Sequence, residues 1–277
     1  MENIANILKV NCSDKCKAEN EDYYQNGILM CGKCHTPKET FTYGNDGELT
    51  VKVSCLCECE SEAINEEKRK QREIEHKEYT ERMKNLSFQD EKSKKNTFAN
   101  DDKLNPKLSN MMKNYVEHFK EIENKGLLLF GTVGSGKTFY ANCIANAMIE
   151  KGYTCMETNF YRISNMLFSN TTQRQEFIND LMKYDLLIID DLSAERDSEY
   201  MNEIVMNVIN ERYRSEKPII VTTNLTNEEL KNPLTQAKKR IYSRLLEMCI
   251  PVEVKGEDRR KKKLSNDYKA IMDILNS

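Results

Sequence analysis

Short runs of branched apolar residues punctuate an otherwise polar chain. Leu127-Leu128-Leu129-Phe130, Leu186-Leu187-Ile188-Ile189 and Ile219-Ile220-Val221 are each too short for a helix. They predict strands buried on both faces, as in a parallel sheet. After the first run the period changes. Over 139–151, Tyr140, Ile144, Ala147 and Met148 fall on one face and Gly152 stops the segment, which predicts a helix. Leu108 to Ile122 predicts an amphipathic helix leading into the first strand, behind a polar, turn-rich entry from Asn96 to Pro106.

Nearer the start, Phe41 to Tyr43 and Leu49 to Val53 flank Gly44-Asn45-Asp46-Gly47, which predicts a β-hairpin. From Glu60 to Lys95 acidic and basic residues alternate at helical spacing, with apolar positions only at Ile64, Ile74, Met83 and Leu86. That pattern predicts an exposed spacer helix laced with i,i+4 pairs. Three regions follow: a small β-rich module over 1–62, a charged helical linker over 63–95, and an α/β domain over 96–277 with a parallel sheet flanked by helices.

The strand ends carry the chemistry. Gly131-Thr132-Val133-Gly134-Ser135-Gly136-Lys137-Thr138 joins the first strand to its helix. Glycines let successive backbone N–H groups turn inward around phosphates, and the helix points its positive dipole end at them. Lys137 supplies a point charge for the β and γ phosphates, and the Thr138 hydroxyl is a ligand for Mg²⁺. Gly131, Gly134, Ser135, Gly136, Lys137, Thr138 and Phe139 are thus the expected ATP-binding residues. Asp190, just past the second strand, is the expected partner of Thr138 on magnesium, and Asp191 is placed to orient the attacking water. Asn224 ends the third strand, where an amide could sense the γ phosphate or hold the water.

Length and charge narrow the class. The 277 residues allow one sizeable core plus an appendage. A net charge of −3 with 31% charged residues leaves nucleic-acid contact to local patches. No apolar stretch approaches eighteen residues and no basic-then-apolar leader is present, so a cytoplasmic protein without a membrane span is expected. In a reducing compartment, cysteines crowded before residue 60 read as metal ligands and not disulfides. Cys31-Gly32-Lys33-Cys34 forms a knuckle, and a second pair must come from Cys55-Leu56-Cys57-Glu58-Cys59. The hairpin between them would bring the pairs together around Zn²⁺. The favoured set is Cys31, Cys34, Cys57 and Cys59, with Cys55 as substitute and His35 as a competitor. Cys12 and Cys16 have ligand-like spacing but no second pair.

Asp185 to Arg196, with its LLIIDDLSAER core, resembles the acidic strand of bacterial helicase loaders of the DnaC/DnaI type. Thr222-Thr223-Asn224-Leu225 is similar to their sensor strand, and Arg240-Ile241-Tyr242-Ser243-Arg244-Leu245 to an arginine-finger box shared with DnaA-like initiators. The cysteine-rich start followed by a charged helix is similar to the DnaI side of the family and to phage or prophage ATP-binding proteins. The resemblance implies an AAA+ ATPase that places a replicative helicase on single-stranded DNA, with the zinc module gripping the helicase. It implies a homo-oligomer in which Arg244, or Arg240 one turn earlier, reaches a neighbour's γ phosphate. Related cores also serve as IstB-type transposition helpers, and a nucleotide-binding adaptor without turnover shares the same motifs. The chain departs from the pattern in three places. Asp191 stands where many AAA+ proteins have glutamate, Ser193 where loaders often have glycine, and no helical lid follows, so Arg259 or Arg260 would have to replace a lid-borne arginine. DNA contact is expected around Asn159-Phe160-Tyr161-Arg162, over 169–174, and at the basic run 259–263.

Overall fold

The computed structural model describes residues 21–43, 49–122, 124–169, 174–192, 198–256, 258–259, 268, 271–272 and 274–275. Cys12, Cys16, the turn over 44–47, Ser193 and the basic positions 260–263 lie outside the described residues. Contacts divide the chain into two compact units, Met1–Glu78 and Tyr79–Ser277.

The first unit is built from two antiparallel pairs. β1 (Tyr23–Gln25) and β2 (Ile28–Met30) pair Tyr24 with Leu29 across Asn26 and Gly27, both in the left-handed region that a tight hairpin demands. β3 (Glu39–Tyr43) and β4 (Leu49–Ser54) form the hairpin expected there, with Glu39 opposite Ser54. A long helix, α1 (Glu58–Ser87), leaves this unit and ends in the second. Its pairs, such as Glu66–Arg69 at 2.8 Å, are exposed and screened by solvent, so they contribute little.

The linker expected over 63–95 does not stay solvated throughout. Beyond Glu78, Met83 is buried and the Ser87 hydroxyl donates to the Cys155 carbonyl at 2.6 Å. α2 (Glu91–Lys95) is capped by Asp90, whose carboxylate accepts the Ser93 N–H at 2.8 Å. Phe88, Met83 and Tyr79 pack with the second unit's core. Sparse apolar residues in a charged stretch are enough to dock its last part.

The second unit runs α3 (Pro106–Glu117), β5 (Gly126–Phe130), α4 (Lys137–Glu150), β6 (Cys155–Thr158), α5 (Phe160–Ser169), α6 (Arg174–Lys183) and β7 (Leu186–Leu192). It continues with α7 (Glu199–Arg214), β8 (Ile219–Thr223), α8 (Asn227–Lys231), α9 (Gln236–Met248) and β9 (Cys249–Glu253). The five strands form one parallel sheet in the order β6-β7-β8-β5-β9. Helical crossovers cover both faces, so β5 and β8 are buried along their whole length and read as unbroken apolar runs. Leu128, Leu187, Ile189 and Val221 pack toward α5, α6, α7 and α9, while Leu127, Leu129, Ile188 and Ile220 pack toward α3 and α4. This is the AAA+ type of sheet flanked by helices. Strand order reverses beside β5, and the crevice at the carboxyl ends of β5 and β8 is where such sheets hold ligands. Among the described residues, no helix is long and apolar enough to cross a membrane.

Candidate nucleotide site and metal centre

The loop from Gly131 to Gly136 caps α4 without help from a side chain. Gly136 is the N-cap residue at φ +103°, and a Cβ there would crowd the Arg259 guanidinium at 3.3 Å. Gly134, at φ +79°, lies against the Asp258 carboxylate. A backbone turned this way aims its N–H groups inward, the cradle that phosphates need. Ser135 is fully buried and its hydroxyl has no partner, a polar atom suited to an anion. The residues present therefore fit a triphosphate.

Lys137 is buried, and its ammonium donates to the Gly131 and Thr132 carbonyls at 2.9 and 2.8 Å and to Asn224 Oδ1 at 2.7 Å. Asn224 Nδ2 in turn donates to Asp191 Oδ1 at 2.8 Å. The Thr138 hydroxyl donates to Asp190 Oδ1 at 2.8 Å, so the two oxygens expected on magnesium already touch. Lys137, Asn224 and Asp191 thus meet in one network beside the Thr138–Asp190 pair. Phe139 packs partly buried, edge-on to Tyr140 at 5.4 Å between centroids.

Two groups in this neighbourhood have no role assigned from the sequence. Thr222 joins the aspartates: its hydroxyl donates to Asp190 Oδ1 at 2.7 Å and accepts the Asp191 N–H at 2.8 Å. Glu157, on β6, has its carboxyl pushed up to about 7, first by burial and then by the Asp190 and Asp90 carboxylates. A polar residue inside a short apolar strand was the available signal for each.

The segment after β9 returns to the loop. The Arg259 N–H donates to the Gly134 carbonyl at 3.2 Å, its guanidinium lies over the Tyr140 ring and pairs with Asp102 at 3.2 Å. Arg244 sits elsewhere on α9, stacked on Tyr213 at 4.1 Å and paired with Glu247 at 3.1 Å. Arg240 is exposed on the same helix. Of the aromatics considered for DNA, Phe160 is core at 2% exposure, whereas Tyr161 is 67% exposed beside an exposed Arg162. Asn159 is occupied in capping α5 through the Arg162 N–H at 2.9 Å.

In the first unit the Cys31, Cys34, Cys57 and Cys59 thiols all lie within 4.8 Å of one another. Cys31 and Cys57 approach Cys59 at 3.6 and 3.4 Å. Tetrahedral zinc–thiolate bonds of about 2.3 Å place sulfurs about 3.8 Å apart, so this donor set fits the ion. The Thr36 hydroxyl, 3.0 Å from Cys34, and the Cys59 backbone hold the Cys34 thiol down at about 5, toward the thiolate a metal requires. Burial pushes Cys57 up to about 12 when no cation offsets it. Cys55 turns away to the Pro37 carbonyl at 3.5 Å, and His35 pairs with the Tyr23 hydroxyl at 3.2 Å.

Comparison with known proteins agrees with this geometry. The chain is 30% identical to the replicative helicase loader DnaI of Bacillus subtilis (strain 168) over 167 residues, 55% of this chain and 52% of the relative. It is 28% identical to the replicative helicase loader DnaC of Escherichia coli (strain K12) over 120 residues, 42% of this chain and 49% of the relative. It therefore spans about half the length of the curated relatives it matches. A crystal structure of DnaI shares the fold, with a TM-score of 0.51 at 24% identity over 64% of this chain and 99% of that one. The family described as IstB-like ATP binding protein matches residues 52–267, well over half of the sequence, and the chain belongs to that family.

Proposed function

We propose that this protein is an ATP-hydrolysing loader of a replicative helicase onto single-stranded DNA, with a zinc-held N-terminal module that grips the helicase. The observation that carries the reading is the single network joining Lys137, Asn224 and Asp191, beside Thr138 and Asp190. Thr138 and Asp190 would hold the magnesium, which when bound neutralises charge on the phosphates. Lys137 would exchange Asn224 for phosphate oxygens. Asn224 would then be released to hold the water that Asp191 orients, one methylene further back than a glutamate would. Slow turnover suits a switch. Similarity to proteins named as replicative helicase loaders supports the process, and exposed Tyr161 beside Arg162 supports a stacking contact to single strands.

Arg244 is assigned to a neighbouring subunit. Glu247, its partner, has its carbonyl held by Lys125, just before β5, while the phosphate loop follows the far end of that strand. Five strand residues separate the two ends by about 16 Å. The reach within one chain is too long, which supports service in trans. Arg259 lies at its own chain's loop and takes the place of a lid arginine.

ATP turnover measured with single-stranded DNA and the cognate helicase tests the reading. Lys137→Ala should lose nucleotide binding. Arg244→Ala should keep binding but lose at least about tenfold in turnover. Unchanged turnover in both variants, or no capture of the helicase by zinc-loaded protein, would sink it. Stimulation by duplex instead of single-stranded DNA would point to the transposition-helper alternative.

A further inference from the structure

The geometry points to Thr222 as the positioning residue that sets both aspartates of the site, an assignment that rests on the hydrolytic reading above. Thr222 lies on β8, two residues before Asn224, and is 1% exposed. A hydroxyl has one proton to give and lone pairs to receive. Here the proton goes to Asp190 Oδ1 and a lone pair takes the Asp191 N–H. Side chain of one aspartate and backbone of the next are fixed by the same atom.

Asp191 needs that anchor. It sits at φ +57°, a left-handed conformation that a non-glycine residue adopts only at a cost. The β7–β8 ladder also shifts between Ile189 and Leu192. In a regular strand, neighbouring side chains point to opposite faces, so Asp190 and Asp191 could not serve one site. The bulge breaks that alternation, and the Thr222 hydroxyl takes the Asp191 N–H at the slipped position. Asp191 then meets Asn224 Nδ2 at 2.8 Å. Without the hydroxyl, the half-buried Asp190 carboxylate and the Asp191 amide each lose a hydrogen bond, and the slipped register loses its tie to β8.

Thr222→Val removes the hydroxyl at nearly constant shape, and Thr222→Ser keeps the hydroxyl while removing the methyl. Three readouts apply to both: ATP turnover with Mg²⁺ and single-stranded DNA, direct titration of ATP with Mg²⁺, and hydrogen exchange at the Asp191 amide. Thr222→Val should lower kcat at least about tenfold with KM and nucleotide affinity within about twofold of wild type. Its Asp191 amide should exchange faster, and Thr222→Ser should restore all three readings. The assignment is overturned if the valine variant turns over normally, if serine is as slow as valine, or if the whole loss falls in KM. Wild type that binds ATP yet releases no phosphate would instead defeat the hydrolytic reading. Exchange then decides the anchor alone: fast in valine and protected in serine supports it, equal rates overturn it.

Discussion

Four thiols organise the first unit, whereas apolar side chains on both faces of a sheet organise the second. Among the described residues before Glu78, the buried hydrophobic side chains are Cys31 and Cys57. The second unit buries Leu128, Leu129, Tyr140, Ile144, Leu186 and many others completely. A module this small cannot offset its chain entropy by apolar burial, so a metal would have to supply the difference. Its surface is then left to other uses, with Tyr24 and Leu56 more than half exposed. The sheet, by contrast, is rigid enough to hold side chains from three strand ends within hydrogen-bonding distance.

Metal removal tests this contrast most severely. Cys57→Ser, or treatment with a strong chelator, should unfold the first unit and leave the thermal transition of the second in place. Metal analysis of the intact protein should find about one zinc per chain. Two-dimensional amide spectra would show the loss of dispersed signals from 21–60 alone. A module that keeps its spectrum in chelator would break the comparison at its root.

Next in size is a polar group inside the sheet unit. Arg212 on α7 is fully buried and donates to the carbonyls of Pro218 at 2.6 Å, Tyr184 at 2.8 Å and Asp185 at 3.0 Å. It ties the starts of β7 and β8 to α7, and burial pulls its guanidinium down to about 10. Arg212→Met fills the space but strands several carbonyls. Denaturant unfolding should show a loss of about 3 kcal/mol in the second unit and none in the first. A loss below about 1 kcal/mol would mean that the carbonyls find other donors.

Legibility followed the range of the signal. The strands at 127–130, 186–189 and 219–221 announce themselves through local apolar runs, and the glycine octet through its own spacing. Arg212 reads in the sequence as one more charge on a polar helix, because nothing local says that four carbonyls await it. Thr222 falls within the sensor-strand segment, yet nothing local singles it out from Thr223, since its role exists only where β7 slips against β8. Arg259 reaches the phosphate loop across more than a hundred residues of chain. Tyr161 and Phe160 are adjacent and alike in sequence, yet only the first is exposed; helix phase against the sheet separates them. The docking of 79–95 was hidden by its charge.

The smallest effect sharpens the comparison through pH. Acid should weaken the thiol unit, because protons compete with metal for thiolates. The sheet unit holds a group of opposite sign in Glu157, whose carboxyl is raised from 4.5 to about 7 by burial and the Asp190 and Asp90 carboxylates. A raised acid favours the folded state while protonated. Its contribution is fully present below about 4.5 and is lost as pH rises through about 7. Glu157→Gln, which cannot ionise, should be nearly as stable as wild type at acid pH and progressively more stable as pH passes from 5 to 8. Other titrations cancel in that difference, so it isolates this side chain. Denaturant midpoints of both proteins, measured without nucleotide or Mg²⁺, give the curve directly. A difference independent of pH would place the Glu157 carboxylate in solvent-like surroundings, and the pH contrast between the two units would then lose its second half.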